Sequence, residues 1–140
     1  MTEKLVTATD KITLVQNSYG RCLSNGKVLE TFYQKFLSSS VEVKERFKHT
    51  DFEQQHKLLR HGINLMIMYA AGNIAGQAGL RRIKDSHSRV RLNIDPRFYS
   101  LWKDALMSAI VQHDKKLDGE TRRAWNEVLD KGIEFVTSGY

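Results

Sequence analysis

One imidazole, His87, closes a stretch of helical apolar periodicity, and a phenol, an aromatic ring and an amide (Tyr33, Phe47 and Gln55) precede it at ordered intervals. A neutral imidazole is a strong nitrogen ligand, and an iron held in a heme needs one such axial donor. The opposite side of that iron must stay open, with hydrogen-bond donors placed to hold a polar diatomic molecule. A tyrosine hydroxyl and a glutamine amide are donors of that kind. No one of these residues is specific; the ordered set points to gas-binding heme chemistry.

The elements that carry them follow from spacing. From Gln55, steps of four and three reach Leu59, Ile63 and Met66, with Phe52 one step back, so all lie on one helix face. Gln55 is then a polar residue on an apolar stripe. A buried amide needs partners, which a bound ligand and the Tyr33 hydroxyl would supply. On a short helix from Leu80 to His87, Ile83 stands four residues before His87, where its carbonyl can accept the second ring N–H and fix the tautomer. His61-Gly62 looks like the distal pair of vertebrate myoglobins. Six residues past Gln55, however, His61 is turned by about 240° around the helix, so it is expected to face solvent. His49, His56 and His113 lack paired metal-ligand spacing and are expected at the surface.

The rest of the chain reads as helices. Thr9 or Asp10 can cap a first helix with Ile12, Leu14, Val15, Tyr19 and Leu23 on its inner side, and Ser24-Asn25-Gly26 breaks it. Val28, Leu29, Phe32, Tyr33, Phe36 and Leu37 make the stripe of a second. Ser38-Ser39-Ser40 marks a corner before two turns from Val41 to Phe47, and His49-Thr50-Asp51 resembles a cap for a long helix from about Phe52 to Ala71. Gly72 to Gly79, rich in glycine and alanine, is either a loose linker or a close helix crossing. Asp95-Pro96 is expected to open a helix carrying Phe98, Tyr99, Leu101, Trp102, Leu106 and Ile110; Asp118-Gly119 precedes a last one bearing Trp125, Leu129, Ile133 and Val136. The expectation is all-α, six to eight helices around one pocket, in a single domain over residues 1–140.

Composition sets the bounds. With 140 residues, 41% apolar and 27% charged, the chain can close one globular core. No apolar run approaches a membrane span, and Met1-Thr2-Glu3-Lys4 is no signal peptide, so a cytoplasmic protein without a membrane partner is expected. Cys22, the single cysteine, forms no internal disulfide. The formal charge is +6, and Arg81, Arg82, Lys84, Arg89 and Arg91 form the densest basic cluster, yet no Phe, Tyr or Trp is interleaved with it as a nucleic-acid reader would require. Nucleic acid is therefore not an expected partner.

In its order and spacing the chain resembles a bacterial single-domain globin of the flavohemoglobin-related type, over nearly its whole length. Phe32-Tyr33 with Phe36-Leu37 resembles the distal tyrosine segment, Arg46-Phe47 the corner phenylalanine that stacks on heme, and Gln55 with Leu59 the distal glutamine and the apolar residue that crowds the ligand. His87 resembles the proximal histidine, Ile94-Asp95-Pro96 to Tyr99 the start of the next helix, and Trp125 the tryptophan of the last. Two departures stand out. Eight residues separate His87 from Pro96, about two more than the usual globin segment, and Tyr140 stands where flavohemoglobins place a proximal glutamate; Glu134 is only nearby in sequence. The resemblance implies a noncovalent heme b, since no Cys-x-x-Cys-His occurs. It also implies iron bound by His87, catalysis at Tyr33 and Gln55, and cofactor contacts from Phe47, Phe52, Leu59, Ile83, Ile94, Phe98, Tyr99 and Trp102, with Arg89 and Arg91 as candidates for the propionates. Dioxygen, nitric oxide or carbon monoxide would be the ligands. Family members with this distal pair oxidise nitric oxide to nitrate, which here would need a separate reductase. A gas or redox sensor acting through a partner is the alternative, and a homodimer through the last two helices is compatible with the pattern.

Overall fold

A computed structural model describes residues 8–24 and 26–140. Among these, seven α-helices occur: α1 (Ala8–Ser24), α2 (Val28–Ser39), α3 (Val41–Arg46), α4 (Phe52–Ala70), α5 (Ile74–Ser86), α6 (Phe98–His113) and α7 (Gly119–Thr137). Side-chain caps start most of the later helices, each satisfying backbone N–H groups that have no partner in the first turn. Ser40 accepts from the Glu42 N–H, Asp51 from Glu53 and Gln54, Asn73 from Gly76, and Asp118 from Thr121. Ser40 also ends α2, so the serine corner is a single shared residue.

Several boundaries differ from the expectations. Because α1 already includes Ala8, Thr9 and Asp10 lie within its first turn and not ahead of it. The polar start Met1 to Lys4 and Asn25 lie outside the described residues; Gly26 beside the latter has φ +76°, which suits a residue without a Cβ. Pro96 precedes α6, whose N-cap is Arg97, and stands in a turn in which the Phe98 N–H donates to the Asp95 carbonyl. The helix leading to His87 begins at Ile74 instead of Leu80, so the glycine-rich stretch is a helix crossing. A Cβ on Gly76 would stand 2.5 Å from Met68 Cβ and 2.8 Å from the Tyr69 backbone nitrogen, and one on Gly79 2.5 Å from Leu65 Cδ2. Only glycine lets α5 lie this close on α4.

The core lies where α2 packs on α6, α4 on α5 and α7, and α1 on α7. Trp125, Phe32, Ile63, Leu80, Leu106, Ile110 and Leu129 are its largest fully buried side chains. Each stabilises the fold by roughly 1.5–3 kcal/mol through lost contact with water. One buried polar cluster ties α1 to the α6–α7 corner. Asp114 accepts from Ser18 Oγ (2.6 Å) and from Arg21 Nε and Nη2 (2.6 and 2.9 Å), while Ser18 Oγ accepts from Trp125 Nε1 (2.8 Å). Burial alone would raise the Asp114 carboxyl, but the bonds from Arg21, Ser18 and the Lys116 N–H outweigh it and hold it below the ordinary range. Cys22 is buried beside this region. Among the described residues no helix is long and apolar enough to cross a membrane.

Candidate functional site

The C-terminal end of α5 presents His87. As the C-cap its backbone N–H donates to the Ile83 carbonyl, and its ring Nδ1 lies 2.9 Å from the same oxygen and 3.0 Å from Ser86 Oγ. A carbonyl can only accept, so Nδ1 carries the proton. Ser86 Oγ itself donates to the Ile83 carbonyl at 2.9 Å, which orients its lone pairs toward the ring. Among the described residues the imidazole's hydrogen bonds run through Nδ1, leaving the Nε2 lone pair as a donor for a metal. Burial pushes the His87 pKa down, opposed by the bond to Ile83, so the ring is kept neutral, the state that coordinates. Its acceptors are a carbonyl and a hydroxyl, not a carboxylate. Glu134 is exposed, and the Tyr140 hydroxyl donates to Asn93 Oδ1 at 2.8 Å.

The eight residues after His87 fold back as consecutive turns. Leu92 N–H donates to the Ser86 carbonyl, Asn93 N–H to Ser88 and Ile94 N–H to His87, with Asn93 at φ +54°. The strap is tied from outside by Arg46, whose Nη1 and Nη2 donate to the carbonyls of Leu92 (3.0 Å) and Asn93 (2.8 Å). Arg89 and Arg91 are exposed on this strap, the first with its guanidinium 4.7 Å from the centre of the Tyr140 ring. Ile83, Ile94 and Tyr99 are half-buried around the imidazole's end of α5 and α6. The Tyr99 ring centre is 6.4 Å from the imidazole, and burial pushes its phenol up to about 12. Phe98 is buried, and Trp102 meets Phe32 edge-on at 5.9 Å, joining this side to α2.

On the α2–α4 side, Tyr33 is buried among rings: Phe32 at 4.8 Å, Phe52 at 5.4 Å, Phe47 at 5.9 Å and His56 at 5.4 Å. Its hydroxyl reaches the backbone carbonyl of Gln55 at 3.4 Å, a long bond. Burial pushes the phenol up to about 12, with hydrogen bonding to Gln55 acting against it. The group is therefore a proton donor at every physiological pH. Gln55 is half-buried, and Leu59, one turn on, is buried. Phe47 and Phe52 are half-buried, packed on the core yet not enclosed by it.

His61 is exposed, as its angle on α4 requires, and so is His49. His56 and His113 depart from the expectation of surface residues. Both are half-buried; His56 is stacked on Tyr33, and His113 Nε2 lies 2.7 Å from Thr31 Oγ1. Sequence reasoning also missed Arg46 as the strap's tether. Its signal, a basic residue beside a corner phenylalanine, is indistinguishable from a solvated charge until the strap's carbonyls are placed.

The Globin family profile matches residues 30–135. A solved structure similar to this chain is that of protein PA3967 from Pseudomonas aeruginosa PAO1, described as structurally highly homologous to a human hemoglobin. The two share 42% sequence identity with a TM-score of 0.89 over 93% of this chain and 98% of that one. No curated protein matches significantly.

Proposed function

The chain belongs to the globin family, and from that premise we propose that it holds heme b through His87 and receives dioxygen, nitric oxide or carbon monoxide on the side of Tyr33 and Gln55. Heme-based binding of diatomic gases is what the family and the hemoglobin-like neighbour support. The single observation that carries the reading is the His87 ring. It is neutral and half-buried, with Nδ1–H fixed on the Ile83 carbonyl and Nε2 free, as an axial ligand must be. The donor set also fits the group's shape. Phe47, Phe52, Ile83, Ile94, Tyr99 and Trp102 are half-buried apolar side chains packed on the core, and they suit a flat apolar ring.

Heme, when bound, would supply an iron able to take a diatomic gas. The chain's own residues do the rest. Ile83 and Ser86 hold the imidazole's orientation and its proton. Tyr33, kept protonated by burial, donates to a polar ligand, with the Gln55 amide as second donor. Leu59 crowds the site, and Arg89 and Arg91, exposed on the strap, are the proposed partners of the propionates. The acceptors on His87 are neutral groups, so the imidazole is not pushed toward the strongly electron-donating anion that a carboxylate would favour.

Within this reading the finer proposal is nitric oxide dioxygenation, consuming nitric oxide and dioxygen to nitrate with an electron from a separate reductase. A gas or redox sensor acting through a partner protein is the second reading, favoured by the tether that links His87's strap to Arg46 and Tyr140 at the surface. The deciding measurement is the absorption spectrum of the purified protein, then after dithionite and after oxygen, beside His87→Ala. A heme band lost in the variant and a stable oxygenated parent support gas binding; a parent that takes up no heme ends it. Nitric oxide consumption with an added reductase separates the dioxygenase from the sensor.

A further inference from the structure

Phe52, His56, Leu59, Ile63 and Met66 follow one another in steps of four and three, so His56 lies on the stripe that α4 turns inward. There its imidazole meets Tyr33 with the two rings 19° from parallel and their centres 5.4 Å apart, and Phe52 stands 6.5 Å from the imidazole. The other ring neighbours of Tyr33 differ in kind. Phe32, Phe47 and Phe52 approach it at 77°, 60° and 70°, edge to face. Edge contacts limit how far a ring can tilt. A plate lying on the ring's face also stops it turning about its long axis, because the turning edge collides with the cover. The phenol's hydrogen bond to the Gln55 carbonyl is too long at 3.4 Å to fix it alone.

We propose that His56 is a positioning residue of the distal side: its stacked imidazole fixes the plane of the Tyr33 phenol and thereby the direction of the O–H, which prefers the ring plane and holds a bound gas. The inference rests on the heme-binding reading for its consequence, but its geometry belongs to the polypeptide alone, so the two can fail separately.

The first test uses the heme-free protein. Carbon NMR of the Tyr33 ring follows its phenol, which burial pushes up to about 12. Removing the plate in His56→Ala opens the face to water and moves the titration toward the ordinary value of about 10; His56→Phe keeps a plate and leaves it in place. The second test uses the heme-loaded protein. Oxygen dissociation is expected about tenfold faster in His56→Ala, from a weakened hydrogen bond, and within about twofold of the parent in His56→Phe. In a Tyr33→Phe background the His56→Ala change adds nothing, since its effect runs through the hydroxyl. His56→Leu, which fills the volume without a flat face, carries the same expectation as His56→Ala should the alanine variant fail to fold. An unmoved Tyr33 titration overturns the proposal, as does acceleration of equal size in the Tyr33→Phe background. If no variant and no parent takes up heme, the gas-binding reading falls while the heme-free titration still decides the stacking.

Discussion

Where α1 meets the α6–α7 corner, Ser18, Asp114 and Trp125 are 0%, 2% and 0% exposed, and their polar atoms satisfy one another. Between the start of α4 and the end of α5 the situation is reversed. The Tyr33 hydroxyl has one long hydrogen bond, His87 offers a free Nε2, and Phe47, Phe52, Ile94, Tyr99 and Trp102 are covered only in part. The first region is completed by the chain itself; the second presents apolar surface and donor atoms that the chain covers only in part. Stability and function are thus lodged at different ends, and variants should separate them. Within the closed end the Tyr19 hydroxyl is an exception, buried without a hydrogen-bond partner among the described residues.

His87→Ala gives the largest effect expected. Heme retention through gel filtration, read at the heme absorbance band, is lost altogether, while circular dichroism of the heme-free protein is unchanged. A variant that also unfolds would break the separation. Next is Asp114→Ala, which strands the Ser18 hydroxyl and the Arg21 guanidinium where the carboxylate stood. About 3 kcal/mol of stability should go in urea unfolding, with ligand dissociation untouched. The same carboxyl gives the acid dependence. It is held below its unfolded value of about 3.9, so its contribution is complete above that pH and is lost as pH falls through the folded value. Asp114→Asn should flatten that acid limb.

Tyr33→Phe sharpens the comparison from the other side: oxygen dissociation accelerates roughly tenfold to a hundredfold, with the urea midpoint nearly fixed. Gly76→Ala costs about 2 kcal/mol, because the new methyl meets the α4 backbone and overpacking outweighs the gain in helix propensity. Tyr19→Phe is the smallest effect. Deleting an unpartnered buried hydroxyl should stabilise the protein by about 1 kcal/mol, measured by thermal unfolding.

Helix identity was legible because apolar periodicity and caps such as Asp51 and Asp118 are local signals. The slot's polar residues were legible in type but not always in facing. From Phe52, a step of three reaches Gln55 and a step of four reaches His56, and either leads on to Leu59. The two stripes are equivalent until α2 is placed, which is why His56 read as surface. The Gly72 to Gly79 stretch stayed ambiguous for a related reason: a glycine's role in a crossing is defined by the helix it touches. The Ser18–Asp114 bond joins residues 96 apart and left no local trace.

Gly76 and Gly79 have a mechanical consequence. They seat α5 on α4 near the closed end of a helical hairpin, while His87 lies at the far end of α5. With a rise of about 1.5 Å per residue, Gly76 is about 4.5 Å from Gly79, and His87 about 12 Å beyond it on the other side. Taking Gly79 as the fulcrum, a shift of about 0.5 Å at Gly76 returns at the imidazole as more than 1 Å in the opposite sense. Two absent methyl groups therefore calibrate where the His87 imidazole stands, from a distance at which neither touches it.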